Sequence, residues 1–172
     1  MTELAEPGSI RLSMLSASEP RRYEAKGAYY PSDGREEGNP FEWHGRLQRD
    51  DGIFMLEGSY RHNMGSSEHA FYLELSMAHA ASGRFYLHCP HLNDAVGSFR
   101  SVGAGLCFGG RAAGTGTAVS LSVEESPSGL LEGRGALVFA SGLVWLIRFQ
   151  AAPAPMRDFP AEVVELRSRS RH

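Results

Sequence analysis

One stretch of this chain fixes its own pairing. Two nine-residue segments, Phe41 to Arg49 and Ile53 to Arg61, flank Asp50-Asp51-Gly52, and both alternate between apolar and polar side chains. Asp-Gly at the tip of two alternating runs is a strong hairpin signal, because a two-residue turn needs left-handed backbone at both positions. With Asp51-Gly52 as the turn, Trp43 stands opposite Tyr60, Leu47 opposite Leu56, Arg46 opposite Glu57 and Glu42 opposite Arg61. Such pairs contribute about 0.2–1 kcal/mol each, and a slip of one residue would turn every side chain to the wrong face. The chain therefore reads as an antiparallel meander.

The same alternation recurs along most of the sequence. Ser9 to Ala17 and, more weakly, Tyr23 to Tyr29 are strand candidates, followed by a loop from Tyr30 to Pro40 rich in Pro, Gly and charge. His69 to His79 carries Phe71, Leu73, Leu75 and Met77 on one face, and its partner starts at Arg84. A three-residue turn at Ala81-Ser82-Gly83, with Gly83 left-handed, aligns that apolar face with Phe85, Leu87 and Cys89. Residues 96 to 116 hold seven glycines interleaved with Phe99, Leu106 and Phe108, a pattern suited to bends and close backbone approach in a curved sheet. Thr115 to Glu125 alternates strictly, and Leu130 to Phe139 with Leu143 to Gln150 forms a hairpin around Ser141-Gly142. Ala151 to Pro155 reads as the end of the core, and Glu162 to Arg167 as a last edge strand or short helix. About nine to eleven strands with no 3.6-residue period predict a single all-β domain, a closed or partly open barrel with a two-sheet sandwich as the alternative. Residues 1–8 and 167–172 read as tails outside it.

Composition narrows the partners. The 172 residues suit one domain, and 42% hydrophobic with 22% charged residues is ordinary for a globular protein. A net charge of −3 offers no broad basic field, so neither nucleic acid nor an anionic membrane is an expected partner. Lys26 is the one lysine among 17 cationic side chains, a skew that reads as coding bias in a GC-rich bacterial genome. The first residues have neither a cationic start nor an apolar stretch, so a cytoplasmic location is the default expectation. The longest apolar run, Gly135 to Ile147, is too short for a spanning helix, which needs about 20 residues. Cys89 and Cys107 read as free thiols.

Chemistry-bearing motifs are sparse. Gly103-Ala-Gly105 lacks the third glycine of a dinucleotide fingerprint, and Gly110 to Gly116 lacks a P-loop lysine. No Gly-x-Ser-x-Gly elbow or His-Glu-x-x-His pair occurs. His88-Cys89-Pro90-His91 has metal-ligand residue types, but histidines three apart fall on opposite faces of a regular strand, so no metal and no cofactor is expected. His62 and His69 bracket a loop and read as solvated. Glu42, His44, Arg46, Glu57, Ser59 and Arg61 share one face of the first hairpin, a proton-transfer constellation only where that face lines a cavity.

The hairpin from Gly135 to Phe149 differs from the first in being apolar on both faces, with Val138, Val144, Trp145, Leu146 and Ile147 as its candidate binding or interface residues. Something must cover the second face. The expectation is a non-catalytic barrel or sandwich that binds a small apolar or amphipathic ligand, or a protein partner including a second copy of itself. The alternative is a cofactor-free cyclase, isomerase or dehydratase in which His44, Glu57 or His88 moves a proton inside a barrel cavity.

Overall fold

The structure, a computed structural model, describes residues 15, 18–33, 38–62, 67–79, 81–90, 92 and 94–155. Ten strands follow one another: β1 (Arg21–Pro31), β2 (Asn39–Asp50), β3 (Ile53–His62), β4 (His69–His79), β5 (Ser82–His88), β6 (Ala95–Val102), β7 (Gly105–Ala112), β8 (Ala118–Glu125), β9 (Leu131–Val138) and β10 (Val144–Ala154). Each is antiparallel to its sequence neighbours, and β1 pairs with β10, so the sheet closes on itself. Closure satisfies every strand edge, which an open sheet of ten strands could not do. The fold is therefore the barrel, and the sandwich alternative falls away. Among the described residues no helix is long and apolar enough to cross a membrane.

The first hairpin forms in the expected register, with Trp43 opposite Tyr60, Leu47 opposite Leu56, Arg46 opposite Glu57 and Glu42 opposite Arg61. Asp51 (φ 45°) and Gly52 (φ 82°) are both left-handed, as the two-residue turn requires. On the solvent side Glu42 lies 3.6 Å from Arg61 and 3.8 Å from Lys26, an exposed charge ladder of small energetic weight.

Elsewhere several boundaries move. The β4–β5 faces match the expectation, with Leu73 opposite Leu87 and Leu75 opposite Phe85, but the turn does not. Gly83 belongs to β5 opposite Met77, and an irregularity between Met77 and His79 absorbs the odd residue. The reason is steric: a Cβ on Gly83 would lie 2.8 Å from the Phe99 ring, so this glycine makes room for a neighbour rather than a bend. β10 runs on through Ala151 and Pro153 to pair with Ala25 and Tyr23, so the Ala-Pro segment closes the barrel instead of ending the core. Cys107 points outward between Arg100 and Ser122, whereas Cys89 is buried. Leu15, the one described residue of segment 9–17, is in no strand and is buried in the core. Segments 1–8, 162–167 and 167–172 lie outside the described residues.

The alternation divides the barrel interior into two zones. Around the end formed by the β2–β3, β4–β5, β6–β7 and β8–β9 turns, Leu15, Tyr23, Leu47, Phe54, Leu75, Phe85, Phe99, Leu106 and Leu131 make a packed core. Full burial of such side chains is worth about 1.5–3 kcal/mol each. Tyr23 is 1% exposed, and burial pushes its phenol above the ordinary value, a hydrogen bond with Arg21 partly opposing. The fold thus favours the neutral phenol: the stabilisation is complete below the unfolded-state value near 10 and is lost as pH rises through the higher folded-state value. We expect the urea midpoint to fall between about pH 9 and about pH 11, and to fall less in Tyr23→Phe. An equal fall in both proteins would remove Tyr23 as the cause.

Candidate functional site

The second zone lies towards the opposite rim, where loops join β1 to β2, β3 to β4 and β9 to β10. Here the inward positions are as apolar as in the core, yet Trp43, Phe71, Leu73, Leu87, Phe108, Val119, Leu121, Leu137, Trp145, Ile147 and Phe149 are only half-buried. Inward-pointing apolar side chains that still touch solvent mark this as the less tightly covered part of the interior, although Trp43, Leu73, Leu87, Phe108, Val119 and Phe149 also pack against the core. Strand number explains it: about eight strands leave an interior that side chains fill or that holds one small ligand, and diameter grows with each added strand.

Two glycines let rings approach the backbone closely here. A Cβ on Gly133 would sit 2.1 Å from the Phe149 ring, and one on Gly27 would sit 2.6 Å from the Phe149 Cβ and 2.7 Å from the Phe41 ring. These rings therefore pack close against bare backbone. The wall from β10 through β1 to β4 is a connected set of rings. Tyr29 contacts Trp145 at 5.1 Å between centroids and Phe41 at 6.4 Å. Trp43 bridges Phe71 at 6.0 Å and Phe149 at 5.7 Å, both edge to face. Tyr60 lies 5.5 Å from His69 and 6.3 Å from His62, and the two imidazoles stack on each other at 5.7 Å with planes 20° apart. The facing wall, on β8 and β9, is aliphatic, with Val119, Leu121 and Leu137.

The residues singled out from sequence divide by face. Trp145 and Ile147 point into the lumen, opposite Tyr29 and Pro31 of β1. Val138, Val144 and Leu146 point outward, which leaves Val138 and Leu146 each 42% exposed beside Leu143 at 47%. The two-faced apolarity of that hairpin is thus half lumen and half outer surface.

His44, Glu57 and His88 also lie on the outer surface, so the sheet separates them from the lumen, and the enzyme reading that places them in a barrel cavity does not match the geometry. His44 Nε2 is 2.9 Å from the Ser59 hydroxyl, which donates to Glu68 at 2.5 Å. The carboxylate here meets the serine and not the far nitrogen of the imidazole, the reverse of a nucleophile relay. His88 Nδ1 pairs with Asp94 beside Tyr86, whose phenol is pushed up by burial and then by the Asp94 charge. Glu57 stands between Arg46 and Tyr72 in register. No group of three or more metal-ligating side chains forms among the described residues. A shallow groove of about 340 Å³ crosses the outer wall of β1, β10 and β9, lined among others by Lys26, Tyr30, Glu132, Arg134, Arg148 and Phe149.

His62 and His69 are the residues most misread from sequence. They are not solvated loop histidines but inward-facing members of the ring wall. The signal was present: extending the Trp43–Tyr60 register by one step puts Phe41 opposite His62, and the next strand puts His69 opposite Tyr60.

No family model matches the chain, and no curated protein matches it. Among solved structures, the S-type phycobiliprotein lyase CPES from Guillardia theta is similar in fold, with TM-score 0.52 and 7% identity over 81% of this chain and 89% of that one. The ywiB protein from Bacillus subtilis follows at TM-score 0.40 and 13% identity, covering 79% of this chain and 92% of its own.

Proposed function

We propose that this protein is a binding barrel that holds a small apolar or amphipathic molecule in its lumen without transforming it. The observation that carries the reading is the half-buried state of apolar side chains that point inward. A pocket lined by aromatic and aliphatic groups with few polar ones is the usual form of a small-molecule site. Expelling water from such walls supplies roughly 25 cal/mol per Å² of apolar surface removed.

The chain supplies its own reporters, since both of its tryptophans, Trp43 and Trp145, line this space. Titration with an uncharged amphipathic fluorophore should quench tryptophan emission saturably at one site per chain, with energy transfer to the probe. Probe fluorescence that rises without any change in tryptophan emission would place binding elsewhere and refute the reading.

The exposed row of Val138, Leu143 and Leu146 favours a second reading, in which copies of the chain meet through the outer face of β9 and β10. Under it, light scattering after size exclusion gives a dimer for wild type and a monomer for Val144→Arg. A monomeric wild type removes it.

A further inference from the structure

We infer that the outer groove over β9, β10 and β1 binds a small phosphate monoester, with the phosphate held between Arg134 and Arg148 and its organic group resting on Tyr30 and Leu146. The site lies on the other side of the wall from the lumen and does not depend on the lumen reading. A like-charge pair carries it. Arg134 of β9 and Arg148 of β10 stand directly opposite each other in register, and both are exposed. Facing residues on adjacent strands have Cβ atoms about 4.5–5.5 Å apart, so two guanidiniums placed this way repel unless an anion bridges them. No ion pair among the described residues engages either one. Arg22 and Arg46 also face each other, but Arg22 lies 2.9 Å from Glu24 and Arg46 stands opposite Glu57 on its other side.

Charge and shape agree with a phosphate ester. The groove, about 340 Å³, falls within the roughly 300–1,000 Å³ of small-ligand clefts. Lys26, Arg134 and Arg148 line it against one carboxylate, Glu132, so a chain of net charge −3 gathers a local excess of positive charge here. Glu132 accepts a hydrogen bond from Gln150 at 3.1 Å and faces Glu124 across β8, while Lys26 lies 3.8 Å from Glu42. The two arginines are thus the cations left to a ligand. Each offers a planar fork of N–H donors, and two forks suit the three terminal oxygens and near-double charge of a phosphate monoester better than the two oxygens of a carboxylate. Towards the rim, Tyr30 stands opposite the exposed Leu146, and its ring is braced on Gly38, where a Cβ would lie 2.4 Å from it. That apolar pair is the bed for the organic group.

The test titrates the isotope-labelled full chain with phenyl phosphate, inorganic phosphate and benzyl alcohol at fixed ionic strength, following amide shifts by NMR. Phenyl phosphate should move the amides of Gly27, Gly133, Arg134 and Arg148 saturably, at one site per chain. It should bind about threefold more tightly than inorganic phosphate through apolar contact, and benzyl alcohol should not saturate there. Arg148→Gln and Arg134→Gln should each weaken phenyl phosphate by about tenfold or more, with a urea midpoint at or above that of wild type because a repulsion is relieved. Glu132→Gln, which removes the carboxylate lining the groove, should tighten binding. Shifts that scatter over many surface cations without saturating describe an ordinary solvated face and overturn the site, as does unchanged affinity in both arginine variants. A urea midpoint lowered in both would make the arginines structural and overturn the like-charge argument. Equal affinity for inorganic phosphate overturns the ester. Shifts confined to the indoles of Trp43 and Trp145 would put the probe in the lumen, which overturns the outer site and leaves the lumen reading standing.

Discussion

Gly110→Val lowers the free energy of unfolding by about 3 kcal/mol, whereas Gly109→Ala, one residue earlier, stays within about 0.5 kcal/mol of wild type. The two glycines are neighbours in β7 but face opposite sides of the wall. A Cβ on Gly110 would lie 2.3 Å from the Val96 carbonyl oxygen and 2.7 Å from the Phe85 ring. The oxygen belongs to backbone and the ring is packed against Phe108 at 5.7 Å, so neither yields cheaply. A Cβ on Gly109 meets nothing within 4 Å. Its replacement removes a flexible residue from a strand, a small gain that offsets other changes. Urea unfolding followed by circular dichroism measures both. Equal costs at the two positions would mean that the inward and outward assignment of β7 is wrong.

Leu121→Trp is the second large effect, and it acts on binding. Leu121 stands between Phe108 and Gly135 on the aliphatic wall and points into the lumen. An indole there occupies the space a ligand would take, so affinity for the amphipathic probe falls by about a hundredfold or more. In a filled core, the same enlargement costs about 1–3 kcal/mol of stability through overpacking. In an unfilled lumen it costs little and adds apolar contact, so unfolding stability stays at or above that of wild type. Loss of stability with binding retained would describe a packed barrel and contradict this account.

Much of this architecture is legible in the residues because period-two alternation and glycine-tipped turns are local signals. Asp51-Gly52 sets the β2–β3 register by itself, and Leu73, Leu75 and Met77 fix the inward face of β4 wherever the turn falls. Closure is not local. The pairing of Tyr23 with Pro153 joins residues near opposite ends of the described chain, and nothing in either segment specifies the other. The same limit hid the site. That His62, Trp145 and Phe149 share one wall follows only once β1 lies between β2 and β10. The acid and base groups of the first hairpin were visible as a cluster, but their face could be assigned only relative to the buried side, which Trp43 and Tyr60 occupy.

A crystal soaked with a brominated amphiphile locates the ligand directly. This account predicts an anomalous peak inside the barrel, within contact of Trp43, Phe149 and Leu121. A peak confined to the outer wall at Val138 and Leu146, with the interior empty, would contradict it.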